Sequence, residues 1–146
     1  MDPLRVLAVD DEPDLRRLLE VRLGAEGFET RFAASAEDGL ELVTEWAPGV
    51  VLLDLMMPRR DGWWFLRELK KREMKRPAVI ILSARSGEAE RLIASTFQVA
   101  SYVTKPFDVE DLVRAIHRLG AGVLQALDEG VGAPAGGRSV MWHDER

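Results

Sequence analysis

The sequence predicts an α/β fold in which a five-stranded parallel sheet is covered by helices on both faces, a doubly wound arrangement. Apolar, β-branched runs alternate five times with segments of helical spacing, and the connections between them are short. Two of the runs, 50–53 and 79–82, are apolar throughout. Continuous apolar runs of this length are typical of strands that are buried on both faces of a parallel sheet.

The predicted elements follow in order along the chain. Strands are predicted at about 4–9, 28–33, 49–53, 78–82 and 100–104, and helices at about 13–24, 36–46, 63–73, 86–96 and 108–120. Pro13 suits the first turn of the first helix, and Ser35 and Asp108 are N-cap residues for the second and the last. The first helix has one apolar stripe, formed by Leu15, Leu18, Leu19 and Leu23.

Composition and charge restrict the class of protein. The 146 residues are 47% hydrophobic, which is enough for one sizeable core. A net charge of −5 argues against nucleic acid or an anionic membrane as a direct partner. The chain has no cysteine, no apolar run of about 18 residues and no secretory signal, so we expect a cytoplasmic protein without disulfides or a transmembrane helix.

The composition changes after about residue 120, so we predict a domain at 1–120 and a flexible tail at 121–146. Gly120-Ala121-Gly122 is expected to interrupt the last helix, although 123–127 could form one more short helical segment. Residues 130–137 are rich in glycine, alanine and proline and are typical of a flexible linker. The nine residues after them are too few for another domain.

Polar residues follow four of the predicted strands. Asp10 and Asp11 follow the first strand, Asp54 the third, Ser83 the fourth and Lys105 the fifth. The carboxyl ends of parallel strands share one edge of the sheet, so these groups should converge there. Carboxylates so close repel each other unless a cation or a reaction uses them, and hard oxygen ligands suit Mg²⁺. With an ammonium and a hydroxyl added, the set is typical of a phosphoryl-transfer site in which one carboxylate is the nucleophile.

Four segments, each directly after a predicted strand, together resemble the receiver domain of bacterial two-component response regulators. They are Val9-Asp10-Asp11-Glu12-Pro13, then Leu53 to Pro58 with Asp61-Gly62, then Ser83-Ala84, and finally Lys105-Pro106-Phe107. The resemblance spans about 4–119. It implies a flavodoxin-like fold with strand order 2-1-3-4-5, and a phosphorylation-operated switch rather than a conventional enzyme.

The resemblance also implies roles for the acidic residues. Asp54 would be the phosphoacceptor, and it would ligate Mg²⁺ (or Mn²⁺) together with Asp11. Asp10 would act mainly through a metal-bound water, and the backbone carbonyl of Met56 would complete the protein's ligands. The Met56 side chain and Arg85, each two residues beyond a site residue, are expected to tune the lifetime of the phosphoryl group.

The resemblance implies further roles for residues in or just after the last two predicted strands. Lys105 would bind the phosphoryl oxygens, and Ser83 would move toward them after transfer. Tyr102 would pack inward when that hydroxyl moves, and Pro106 would follow a cis peptide bond. Many members have glycine where Gln98 stands, so we expect a different turn at the end of the fourth helix.

The implied partners are a histidine kinase or phosphotransfer protein as phosphoryl donor, and an unknown protein target at the face made by helix 4, strand 5 and helix 5. We expect a stand-alone receiver. The blander alternatives are that the aspartates and Ser83 are turn or helix caps and that Lys105 is simply solvated. An aspartyl-phosphate phosphatase of the haloacid dehalogenase type needs Asp-x-Asp, but Glu12 holds the third position, and a flavin module lacks a phosphate-cradling loop here.

Overall fold

The computed structural model describes residues 2–72, 77–85, 87–128 and 141–143. The elements in these residues are β1 (Arg5–Val9), α1 (Pro13–Ala25), β2 (Glu29–Ala33), α2 (Ala36–Trp46), β3 (Val50–Asp54), α3 (Gly62–Lys71), β4 (Ala78–Ser83), α4 (Glu88–Thr96), β5 (Ser101–Thr104), α5 (Val109–Asp128) and β6 (Met141–His143). Among the described helices, none combines the length and the apolar character needed to cross a membrane.

All strand pairs in the described sheet are parallel, and the strand order is β2-β1-β3-β4-β5-β6. The predicted order 2-1-3-4-5 is therefore confirmed, and the sixth strand adds to the outer edge of β5. Every residue of β3 and β4 is buried, because both strands have neighbours on each side and helices above and below.

The core has two layers, one on each face of the sheet. Alternate residues of β3 point to opposite faces: Val51 and Leu53 pack with α2 and α3, whereas Val50 and Leu52 pack with α1 and α5. The predicted stripe of α1 is buried at Leu19 and Leu23, but Leu18 is 46% exposed and lies outside the core.

Local hydrogen bonds fix where the helices begin. Ser35 Oγ accepts from the Asp38 N–H at 3.2 Å and Asp108 Oδ1 accepts from the Glu110 N–H at 2.8 Å, as the cap assignments anticipate. At the turn after α4, Gln98 has φ 58°, the left-handed conformation that a glycine would adopt without strain, so a side chain is accommodated in a conformation that favours glycine. Whether this turn differs from that of other family members stays a prediction.

The segment after residue 120 differs from the sequence prediction in two ways. First, α5 is not interrupted at Gly120 but continues to Asp128. A glycine costs a helix only about 1 kcal/mol relative to alanine, and this one allows close packing, since a Cβ on Gly120 would lie 2.5 Å from Leu4 Cδ2. Second, residues 141–143 form a strand where a flexible tail was expected.

The physical reason for β6 is the exposed edge of β5, whose backbone groups would otherwise lack partners on that side. Three residues are too few to show a period-2 pattern, so residues 141–143 carry no strand signal of their own. The linker predicted at 130–137 lies outside the described residues, and the domain boundary at 120 stays a prediction.

Candidate functional site

The carboxyl ends of β1 and β3 bring three carboxylates together at one edge of the sheet. Oxygens of Asp10, Glu12 and Asp54 all lie within 4.8 Å of one another. Asp10 and Asp54 are 1% and 3% exposed, whereas Glu12 is exposed. Two buried acidic groups at this separation require a positive partner, because buried charges are costly unless they are paired.

The strand ends orient their polar side chains by one repeated hydrogen-bond pattern. Asp10 Oδ1 accepts from the Glu12 N–H at 2.9 Å, and Asp54 Oδ1 accepts from the Met56 N–H at 3.0 Å. Ser83 Oγ accepts from the Arg85 N–H at 3.1 Å. Bonds of this kind, from a side chain to the backbone two residues on, fix one oxygen of each aspartate and leave the Oδ2 atoms to face the site.

Lys105 supplies the positive charge between these carboxylates. Its Nζ lies 2.9 Å from Asp10 Oδ2, 3.2 Å from Glu12 Oε1 and 3.7 Å from Asp54 Oδ2. Its backbone N–H donates to the Ser83 carbonyl at 2.7 Å, which ties the end of β5 to the end of β4. Burial alone would lower the pKa of Lys105, but the hydrogen bond and charge of Asp10, with the charge of Asp54, raise it, so the ammonium form is favoured.

Asp54 is electrostatically unusual. Burial raises its pKa from 3.8 to about 6, with a smaller contribution from the charges of Asp10 and Asp11, while the Met56 N–H and Lys105 act in the opposite direction. Removing water from around a carboxylate destabilises its ionised form, so the group is a stronger base. Once ionised, it is correspondingly a better nucleophile than a carboxylate exposed to water.

Ser83 and Tyr102 form a second part of the site, beside the acidic cluster. Tyr102 is 1% exposed, and its hydroxyl donates to the backbone carbonyl of Arg85. Burial raises the pKa of Tyr102, and a hydrogen bond with Ser83 opposes that shift. The turn from Ser83 to Arg85 is therefore held to β5 by the Tyr102 side chain.

Most of the predicted site residues come together at this edge. Asp10, Asp54 and Lys105 are in direct contact, Ser83 lies at the end of the neighbouring strand, and the peptide bond between Lys105 and Pro106 is cis. The carboxylate of Asp11 is half-exposed and is not in the group of three, although its charge acts on Asp54.

Glu12 is the residue that sequence reasoning missed. In the sequence it belongs to the motif Val9 to Pro13 and breaks an Asp-x-Asp motif, but no role at the site is predicted for it. In the structure its carboxylate lies with Asp10 and Asp54 and contacts Lys105. The available signal was its place in an unbroken acidic run of three residues after β1. The two residues expected to tune phosphoryl lifetime, Met56 and Arg85, are both exposed at the rim.

The donor set fits a hard divalent cation. Asp10, Glu12 and Asp54 offer carboxylate oxygens, and the described residues here include no histidine and the chain has no cysteine that would favour a softer metal. The residues present therefore suit Mg²⁺, which is commonly held by one or two carboxylates with retained waters.

A family model described as "Response regulator receiver domain" matches residues 6–117. The chain belongs to this family. The match covers every strand from β2 to β5 and all the site residues above. Receiver domains are phosphorylation-operated signalling switches of two-component systems, and they bind Mg²⁺ at an acidic pocket.

Solved receiver structures show the same fold. The receiver domain of Francisella response regulator 1452 is 28% identical, with a TM-score of 0.76 over 82% of this chain and 98% of that chain. The HemR receiver domain of Leptospira biflexa is 27% identical, with a TM-score of 0.74 over 82% of this chain and 95% of that one. The Vibrio cholerae chemotaxis protein CheY4, 23% identical, has a TM-score of 0.74 over 80% and 98%, and shows similarity of fold alone.

Proposed function

We propose that this receiver domain accepts a phosphoryl group on Asp54 from a histidine kinase or a phosphotransfer protein, and signals by protein–protein contact. The observation that carries the proposal is the placement of a buried, basic Asp54 carboxylate against Asp10, Glu12 and the Lys105 ammonium. Receiver domains interact with such donors and with downstream targets.

The proposed transfer is a displacement at phosphorus. The ionised Asp54 carboxylate attacks, a new bond forms between its oxygen and phosphorus, and the bond from phosphorus to the donor's histidine nitrogen breaks. The leaving imidazole nitrogen keeps that electron pair. Lys105 lies close enough to both buried aspartates to pair with the phosphoryl oxygens as they arrive, which disperses their negative charge.

Mg²⁺, when bound, would neutralise further charge on the phosphoryl oxygens. We propose Asp54, Asp11 and the Met56 carbonyl as direct ligands, with Asp10 acting mainly through water. Glu12 now joins the candidates, because its carboxylate is within the same group as Asp10 and Asp54. The domain would assist its own phosphorylation and dephosphorylation in this way without being a conventional enzyme.

The proposed signal passes from Ser83 to Tyr102. A phosphoryl group on Asp54 would draw the Ser83 hydroxyl toward it as a hydrogen-bond donor. That movement would disturb the turn whose Arg85 carbonyl accepts from Tyr102, and so change the face made by α4, β5 and α5. We propose this face as the surface for the target, with the receiver acting through a partner protein rather than through another domain within these 146 residues. A cytoplasmic location, with which a cysteine-free chain is compatible, is part of the proposal.

The test is phosphorylation by a small donor. Incubation with acetyl phosphate and Mg²⁺ should add one phosphoryl group to the intact protein, detected by mass spectrometry. Asp54→Asn should abolish the addition. Asp61→Asn is the matched control, because Asp61 belongs to the same loop but caps α3 through the Trp64 N–H, and it should still be labelled. Labelling that persists in Asp54→Asn would show that another residue is the acceptor.

A further inference from the structure

The outer edge of β5 is occupied by the chain's own residues 141–143. Ser101, Tyr102 and Val103 lie in parallel register with Met141, Trp142 and His143 respectively. The unit β5-α5-β6 is a βαβ crossover that extends the sheet by one strand beyond the five of the predicted fold. β6 thus lies on the strand at the centre of the proposed target face.

The strand that β6 covers is also linked to the proposed phosphoryl site by hydrogen bonds. The middle residue of the pairing is Tyr102, whose hydroxyl donates to the Arg85 carbonyl. The Arg85 N–H in turn donates to Ser83 Oγ. β5 then leads directly to Lys105, whose backbone N–H donates to the Ser83 carbonyl. Two hydrogen bonds therefore connect the turn at Ser83 with β5 and the residue that follows it, and the bond from the Arg85 N–H to Ser83 Oγ orders the turn itself.

The attachment of β6 has the features of a reversible contact. Only three residues pair, so the ladder has few hydrogen bonds, in contrast to the five-residue pairing of β1 with β2. Twelve residues separate the end of α5 from the start of β6, and they include four glycines. A contact of this size can be made and released without unfolding the rest of the sheet.

We propose that the β5 edge is a strand-docking surface whose resident occupant is residues 141–143 of the same chain, and that phosphorylation of Asp54 weakens this docking. This inference rests on the proposed function for its coupling to Asp54. Drawing Ser83 toward a phosphoryl group disturbs the turn that holds Tyr102, and with it the edge to which β6 is paired. The β5 edge is then free, and a partner protein that binds the face made by α4, β5 and α5 can add an extended segment to it.

Docking is tested by an engineered disulfide, which is unambiguous because the chain has no cysteine of its own. Ser101→Cys with Met141→Cys joins two register partners, whose Cα atoms in neighbouring strands are close enough for a disulfide. Ser101→Cys with His143→Cys is the control, displaced by two residues. The matched pair should oxidise to a cross-linked monomer, and the control pair should do so at least tenfold more slowly. Equal rates, or a cross-linked dimer, would overturn docking in cis.

Hydrogen exchange on the protein without engineered cysteines is the second measurement. Trp142→Pro and His143→Pro each remove a backbone N–H from β6, and at least one of them should speed exchange at Ser101–Val103. Ala135→Pro adds a proline outside the pairing and should leave that exchange unchanged. Unchanged exchange in both β6 variants would show that β6 does not protect β5.

Coupling is tested by phosphorylating the matched cysteine pair in its oxidised and reduced forms. The reduced form should react with acetyl phosphate at the rate of the parent protein, and the oxidised form at least threefold more slowly, because the locked strand opposes the change at Ser83. Equal rates would overturn the coupling. Failure of the reduced form to be phosphorylated at all would instead refute the proposed function, while the cross-linking result would still decide whether β6 docks.

Discussion

At the scale of single residues, the burial of Asp54 makes the stability of the metal-free protein depend on pH. Its pKa is about 6 in the folded state and 3.8 as the ordinary value. Below about pH 3.8 the carboxyl is protonated in both states and has no effect. As the pH rises from there to 6, the unfolded chain releases a proton that the folded chain keeps. The free energy of unfolding therefore falls over this pH range, by about 3 kcal/mol in all.

Asp54→Asn should remove this penalty. In EDTA at pH 7.5, the variant should be more stable than the parent by up to about 3 kcal/mol, which corresponds to several degrees in melting temperature for a domain of this size. At pH 3.5 the two proteins should differ little. Urea unfolding at both pH values is the measurement, and Glu41→Gln, at an exposed position of α2, should show no such pH-dependent gain. A gain of equal size at both pH values would contradict the assignment to ionised Asp54.

Met56 is the residue at which the lifetime of the phosphoryl group should be most easily changed. Its side chain is 50% exposed, and Met56 lies two residues beyond Asp54, whose Oδ1 accepts the Met56 N–H. Once Asp54 is phosphorylated as proposed, an apolar side chain in this position should exclude water from one side of the acyl phosphate, whereas an amide should orient that water. Met56→Asn should therefore dephosphorylate severalfold faster, as measured by decay of the intact phosphorylated mass after donor removal.

Arg85 provides the comparison, because it lies at the same offset from Ser83 and is also exposed. Arg85→Ala should also shorten the lifetime if the guanidinium shields the phosphoryl group. Arg17→Ala, exposed on α1, should decay like the parent protein. Identical decay of Met56→Asn and the parent would remove the role of Met56.

At the scale of elements, two helical glycines differ in how much space surrounds them. Substitution by alanine is therefore expected to have different effects on stability at the two positions. A Cβ on Gly62, in the first turn of α3, would lie 2.6 Å from the Asp54 carbonyl oxygen and 2.8 Å from Leu55 Cα. Both are backbone atoms that cannot move without shifting the end of β3. The nearest atoms to a Cβ on Gly120 all belong to the Leu4 side chain, and the close one, Cδ2 at 2.5 Å, is the end of a side chain that can rotate.

Gly62→Ala should therefore destabilise the fold by roughly 1–3 kcal/mol, as overpacking does, and should reduce phosphorylation because Asp54 moves with β3. In Gly120→Ala, the higher helix propensity of alanine, worth about 1 kcal/mol, should offset the adjustment of Leu4 and leave stability nearly unchanged. Chemical denaturation of both variants is the measurement. Equal losses would show that the close approach of α3 to β3 is not a constraint.

The positions that sequence patterns predicted well are those at which one physical rule dominates. Strand ends of a parallel sheet share an edge, so the convergence of Asp10, Asp54 and Lys105 followed once the strands were placed. Glu12 was missed because its place depends on the side-chain position of Lys105, which no local pattern encodes. At Gln98 tertiary structure prevailed over residue preference, since the turn requires a positive φ whichever residue stands there.

The segment after residue 120 also could not be predicted from local sequence patterns, because its structure depends on tertiary contacts. Glycines at 120 and 122 lowered the helical signal, yet the packing of Gly120 on Leu4 favours continuing α5. β6 owes its existence to the free edge of β5, which is a property of the assembled sheet and not of residues 141–143. Nothing in three residues of sequence could have revealed it.

At the scale of the whole molecule, the acidic cluster should make folding stability depend on Mg²⁺. Carboxylates less than 5 Å apart repel by roughly 3 kcal/mol at an effective dielectric of 20, before Lys105 and salt reduce it. The unfolded chain does not share this repulsion. A cation that binds only the folded state adds RT ln(1 + [L]/Kd), about 1.4 kcal/mol at ten times Kd.

Thermal unfolding in EDTA and in Mg²⁺ should therefore differ by several degrees for the parent protein. In Asp54→Asn the melting temperature in EDTA should be higher and the shift on adding Mg²⁺ smaller, because the substitution removes both a source of repulsion and a ligand. Glu41→Gln, exposed on α2 and remote from the cluster in sequence, should keep the full shift. If EDTA and Mg²⁺ give the same melting curve for the parent and Asp54→Asn melts no higher, the cluster neither binds Mg²⁺ nor strains the fold. The phosphoryl chemistry proposed for this edge of the sheet would then lose its basis.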